Sequence, residues 1–157
     1  MSDQFSLDGA SAAVTGACGK LGPIWVEALL DAGARVAALE LPGAPESPAF
    51  KALAAAAGER LRRFDCDVTD RGSITAAADA LAKAFGDPSI LVNNAGIDQP
   101  PDSPAGRYRL TELPADQFRR MVEVNLIGTF QVTQVFAERM ARNGGGSVIN
   151  IGSLDRK

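Results

Sequence analysis

Histidine is absent from all 157 residues, which removes the usual general base of Ser-His-Asp and Cys-His sites and excludes metal helices of the HExxH kind. Cysteine is scarce. Cys18 and Cys66 are the two present; their separation matches no metal spacing, so they read as buried thiols in a reducing compartment and no metal site is expected. An excess of basic charge is missing too, since 16 scattered Lys and Arg face 19 Asp and Glu for a net charge of -3, and no nucleic-acid partner is expected. No apolar run approaches the roughly 20 residues that cross a bilayer, and the opening Met1-Ser-Asp-Gln-Phe-Ser-Leu-Asp lacks the basic region and apolar core of a secretory signal. The expectation is a cytoplasmic protein without a membrane partner, whose acid-base chemistry comes from side chains other than imidazole.

What is present suits one globular domain over residues 1–157, with 46% apolar and 22% charged residues. Apolar runs of strand length alternate with amphipathic runs of helix length, the order of βαβ units around a parallel sheet covered on both faces. Five strands are read at Ser11 to Thr15, Arg35 to Glu40, Arg62 to Asp65, Ile90 to Asn93 and Ser147 to Ile151. Leu21, Ile24, Trp25, Ala28 and Leu29 form a helical stripe with Gly33 as its left-handed stop. A second stripe runs Ile74, Ala77, Ala78, Leu81, Phe85, with Thr69 or Asp70 as N-cap and Gly86 and Pro88 at its close. A third helical region starts near Pro114 and runs through Met121, Val124, Gly128, Val132, Val135, Phe136 and Met140 to Gly144-Gly145-Gly146, either unbroken or as two helices meeting near Asn125. Leu41 to Pro48, with three prolines, and Asp98 to Pro114, with four, are read as loops.

Between the first strand and first helix lies Thr15-Gly16-Ala17-Cys18-Gly19-Lys20-Leu21-Gly22. A dinucleotide site needs a tight turn at the first glycine, close backbone approach to a pyrophosphate at the next, and close helix-to-strand packing at the last. Gly16, Gly19 and Gly22 are spaced for those places, and the helix amino terminus aims unpaired N–H groups at the phosphates. Cys18, Lys20 and Leu21 belong to the same candidate cradle. Glu40, 18 residues beyond Gly22, can accept hydrogen bonds from ribose hydroxyls and repel a 2′-phosphate, which favours NAD over NADP.

With these features in order, the chain resembles the short-chain dehydrogenase/reductase superfamily over nearly its whole length. Asn93-Asn94-Ala95-Gly96 is similar to the family's NNAG signature, which implies sheet stabilisation and contact with the ribose region of the cofactor. Asp67-Val68 resembles the adenine-contacting pair, although an Asp there also suits a helix cap. Asn125 matches the helix asparagine that holds a water in the proton relay, and Ser153 the serine that hydrogen-bonds the substrate oxygen. The glycine spacing is similar to that of extended members, whereas NNAG resembles the single-domain ones.

The resemblance implies a three-layer doubly wound Rossmann sheet of order 3-2-1-4-5, ending here after the fifth strand. It implies an NAD(P)-dependent oxidoreductase that interconverts a small-molecule carbonyl and a secondary alcohol, working as a homodimer or homotetramer. The family's Tyr-x-x-x-Lys pair belongs on the helix after the serine, and only Leu154 to Lys157 follow Ser153. Tyr108, in the proline-rich loop, has no lysine four residues on. The expected reading is therefore a fragment, inactive alone, poorly soluble or partly ordered, with an exposed edge at the fifth strand. The alternative is a non-catalytic dinucleotide-binding or interaction module.

Overall fold

The computed structural model describes residues 5–97 and 111–152. Five parallel strands, β1 (Ser11–Thr15), β2 (Arg35–Glu40), β3 (Leu61–Asp65), β4 (Ile90–Asn93) and β5 (Ser147–Asn150), lie in the order β3-β2-β1-β4-β5. The fold class and strand order read from the sequence hold, and strand boundaries differ by a single residue at β3 and β5. Register is set through β1, where Val14 lies beside Ala38 of β2 and Val92 of β4.

Small residues at the sheet centre let helices approach from both sides. Ala12, Val14, Val36 and Ala38 point toward α1 (Gly22–Asp31) and α2 (Pro48–Ala57), packing on Val26, Leu30 and Phe50. Ala13, Ala37 and Leu39 face the other way, onto Ile74, Ala77, Ala78, Leu81 and Phe85 of α3 (Arg71–Phe85) and Val132, Val135, Phe136 and Met140 of α5 (Thr129–Arg142). This alternation along each strand produces the two cores of the three-layer sandwich.

The α3 stripe is the one expected, and its cap is Asp70, whose carboxylate accepts from Gly72 N–H at 2.9 Å. The stripe of α1 is met only in part, with Trp25 and Leu29 packed against the core. Leu21 and Ile24 are 52% and 53% exposed, while Pro23, Val26 and Leu30 are buried. Gly22 sets this phase: a Cβ there would lie 2.4 Å from the carbonyl oxygens of Gly16 and Ala17, so Gly22 must face the strand, and Val26 and Leu30 follow it beneath at helical spacing. Gly33 does adopt the left-handed stop, at φ +102°.

The Leu41 to Pro48 loop is shorter than expected, because Pro48 opens α2. Ser47 caps that helix by accepting from Phe50 N–H at 3.3 Å, and proline is favoured in a first turn. Mostly alanine beyond this point, α2 has only Phe50 fully buried, so it shows little periodic signal. The third helical region is a single rod with a defect: α4 (Ala115–Val122) passes into a π-helical segment (Glu123–Gly128) and then into α5. Asn125 sits in that segment, where the expected junction falls. Glycine is needed at its end, since a Cβ on Gly128 would come within 2.9 Å of the Val68 side chain. The loop expected over Asp98 to Pro114 lies mostly outside the described residues.

Candidate cofactor-binding and active site

The carboxyl ends of β1 and β4 diverge into helices on opposite faces of the sheet, and the crevice between them is where open α/β sheets place their ligands. Each of the three turn glycines meets a different demand there. Gly16 has φ +62°, and a Cβ on it would sit 2.9 Å from the Ala95 Cα; it allows the β1 and β4 turns to touch. Gly22 allows α1 to touch the turn. A Cβ on Gly19 would meet nothing closer than the Gly16 carbonyl oxygen at 3.5 Å, so nothing among the described residues requires glycine at this position. The open surface beside Gly19 is what a pyrophosphate pressed against the backbone would need. Leu21, the N-cap residue of α1, contributes no side-chain cap; Pro23 has no N–H, and the N–H groups of Gly19 and Ile24 donate to the carbonyls of Gly16 and Leu21, so those of Lys20, Leu21 and Gly22 are the ones left for an anion.

Glu40 closes one side of this cradle. Its carboxylate accepts from Cys18 N–H at 2.9 Å and from Leu41 N–H at 3.0 Å, which fixes it beside the glycine turn. An ionised carboxylate offers about four acceptor positions, so capacity remains for ribose hydroxyls. Cys18 is committed within the chain: its N–H goes to Glu40, its carbonyl accepts from Ser47 N–H at 3.1 Å, and its side chain is buried. The structure thus assigns Cys18 to the scaffold of the turn. Burial first and the Glu40 charge second push its thiol from 9.0 up to about 12, and burial followed by Asp67 does the same for Cys66.

Asn94 is the brace between the two turns. Its amide nitrogen donates to the carbonyls of Thr15 at 3.1 Å and Gly16 at 3.0 Å, and its oxygen accepts from the Trp25 indole at 2.9 Å. Thr15 completes the brace, its hydroxyl oxygen accepting from the N–H groups of Asn94 and Ala95, both at 3.0 Å. Neither Thr15 nor Trp25 is singled out as a site residue by the sequence. Asn93 instead turns inward, donating to Thr133 of α5 at 2.9 Å and to Asn150 of β5 at 2.8 Å, and so ties sheet to helix.

Asp67 does not cap α3. Its Oδ1 accepts from Thr69 N–H and hydroxyl at 2.9 and 2.7 Å, closing an Asx turn after β3. Val68 packs toward Gly128. Asn125 reaches Ile97, just past Gly96: its oxygen accepts from Ile97 N–H and its nitrogen donates to Ile97 carbonyl, each at 2.9 Å. One donor and one lone pair of the amide stay available. Ser153 lies outside the described residues, as does Tyr108.

This arrangement of glycine turn, strand-end carboxylate and braced β4 turn is matched by a family model for short chain dehydrogenases, over residues 10–156. The chain belongs to that family. Among its relatives, a D-threitol dehydrogenase of Mycolicibacterium smegmatis is 40% identical over 152 residues, covering 95% of this chain and 54% of that protein. A galactitol 2-dehydrogenase (L-tagatose-forming) of Cereibacter sphaeroides is 37% identical, with 96% and 55% covered. The 7alpha-hydroxysteroid dehydrogenase of Escherichia coli is 30% identical, with 98% and 56% covered. The crystal structure of gox2181 superposes with a TM-score of 0.81 at 30% identity, covering 95% of this chain and 55% of that one. The chain therefore spans about half the length of the relatives it matches. Proteins of this family generally bind NAD(P).

Proposed function

We propose that this chain forms the dinucleotide-binding half of an NAD-dependent oxidoreductase that interconverts a carbonyl and a secondary alcohol. The observation that carries the proposal is the Glu40 carboxylate, held by two backbone N–H groups at the open side of the Gly16–Gly22 turn. Gly19 to Gly22, with Lys20 exposed beside them, hold the pyrophosphate. Glu40 takes the adenosine ribose and disfavours a 2′-phosphate by charge repulsion. Asp67 and Val68 border the adenine, and Asn93 to Gly96 border the second ribose. When bound, the nicotinamide supplies the hydride donor or acceptor.

Toward the substrate, Ser153 hydrogen-bonds the reacting oxygen, and Asn125 fixes the Gly96–Ile97 backbone at the rim while keeping one donor and one acceptor for a water. The proton acceptor is not among these residues, because Tyr108 is the one tyrosine and Glu112 stands four positions on. The names of the relatives, two of them polyol dehydrogenases and one a hydroxysteroid dehydrogenase, support a small-molecule alcohol as the substrate class. No helix among the described residues is long and apolar enough to cross a membrane, consistent with a cytoplasmic enzyme. Exposed Phe118, Leu126, Ile127 and Phe130 along the α4–α5 rod support a homodimer or homotetramer.

Calorimetric titration with NAD and NADP tests the proposal. Tighter binding of NAD is the expected result; tighter binding of NADP, or of neither, overturns it.

A further inference from the structure

Resting on the NAD reading above, we infer that Arg63 is the positioning residue for the adenosine half of the site, acting through the loop that follows Glu40. That loop, residues 41–47, has no regular structure to hold it, and it contains Pro42, Gly43 and Pro45. Arg63 of β3 reaches it at three points: Nη1 pairs with the Glu46 carboxylate at 3.1 Å, and Nη2 donates to the carbonyls of Ala44 at 3.0 Å and Leu41 at 3.3 Å. At its far end, Ser47 N–H donates to the Cys18 carbonyl at 3.1 Å. One guanidinium thus spans the loop from Leu41 to Glu46, and Ser47 fastens the same loop to the phosphate turn.

Its neighbour on the strand shows what an ordinary edge arginine does. Arg62 pairs with the exposed Glu59 and lies over the Phe85 ring, contacts that involve no part of the crevice. Arg63 and Glu46 are instead only 23% and 30% exposed at their side chains, where the pair is less screened by solvent than Arg62–Glu59. Three acceptors at fixed positions suit the planar fork of a guanidinium; the compact ammonium of lysine cannot reach all three. Leu41 N–H also holds the Glu40 carboxylate, and without the guanidinium the Leu41 carbonyl keeps only its turn bond from Ala44 N–H at 3.0 Å, so losing Arg63 loosens the very residue that grips the ribose.

The test is calorimetry on the unaltered chain, Arg63→Ala, Arg63→Lys and Glu46→Gln, with NAD, AMP and nicotinamide mononucleotide as ligands. Arg63→Ala is expected to weaken NAD and AMP about tenfold alike and to leave nicotinamide mononucleotide unchanged, with Arg63→Lys restoring only part of the loss. Glu46→Gln, which keeps both carbonyl contacts, is expected to weaken NAD and AMP about threefold. Unchanged NAD binding in Arg63→Ala, equal weakening of AMP and nicotinamide mononucleotide, or an unchanged Glu46→Gln where Arg63→Ala does not fold would overturn the assignment. If the unaltered chain binds no NAD, the cofactor reading itself fails and takes this inference with it; if it binds NAD and the variants match it, only Arg63 is wrongly placed.

Discussion

β1 and β5 are both short parallel strands whose carboxyl ends reach the same crevice, yet every residue of β1 is buried and every residue of β5 is exposed. β1 has a strand on each side and helices on both faces. β5 pairs with β4 alone, and Val148 and Ile149 remain 37% and 47% exposed. The difference separates two tasks. Around β1 the described residues assemble a continuous set of contacts, from glycine turn to Glu40 to Asn94, which we propose as the cofactor cradle. Around β5 they assemble a platform, with Asn93 bonded to Asn150 and Asn125 bonded to Ile97, whose outer surface no described residue covers.

The sharpest way to break this contrast is Gly22→Ala. Two backbone carbonyls at 2.4 Å from the new Cβ cannot yield as a flexible side chain would, so the variant should lose about 3 kcal/mol of stability in urea unfolding and its NAD binding with it. Thr15→Val comes next. It keeps the shape of a fully buried side chain but leaves the Asn94 and Ala95 N–H groups without their acceptor, at a cost of about 2 kcal/mol by the same measurement.

A further effect is expected from pH. Both buried thiols have native values near 12 against an ordinary 9.0, so their contribution is complete below pH 9.0 and declines as pH rises toward 12. Urea midpoints of the unaltered chain should therefore fall more steeply across that interval than those of Cys66→Ala. The smallest effect belongs to β5: Ile149→Thr should change stability by no more than about 0.5 kcal/mol. A loss equal to that of Thr15→Val would erase the distinction between the two strands.

The same contrast explains how much of the molecule is legible in the sequence. Strands and α3 are read correctly because their signals are local: a run of β-branched and small residues, a stripe ending in Phe85, an Asp70 cap. The stripe of α1 is read partly out of phase, with Trp25 and Leu29 on the core but Leu21 and Ile24 off it, because two apolar faces overlap there and contact between Gly22 and the preceding turn selects one. α2 escapes because alanine carries helix propensity without periodicity, and its single buried anchor, Phe50, follows three prolines that look like loop. At the site, the glycines, Glu40 and the Asn93–Gly96 turn are visible as spacing. Thr15, Trp25 and Arg63 are not, since each acts on a partner distant in sequence that only the folded sheet brings near.

The central claim is that backbone amides of Lys20 to Gly22, beside the open surface of Gly19, hold a pyrophosphate while Glu40 holds the adjoining sugar. A crystal structure of the chain with NAD tests it most directly. The prediction is pyrophosphate density against the start of α1 and both ribose hydroxyls within hydrogen-bonding reach of the Glu40 carboxylate. Density for the dinucleotide anywhere else on the protein, or a Glu40 side chain turned away from the bound sugar, would contradict it.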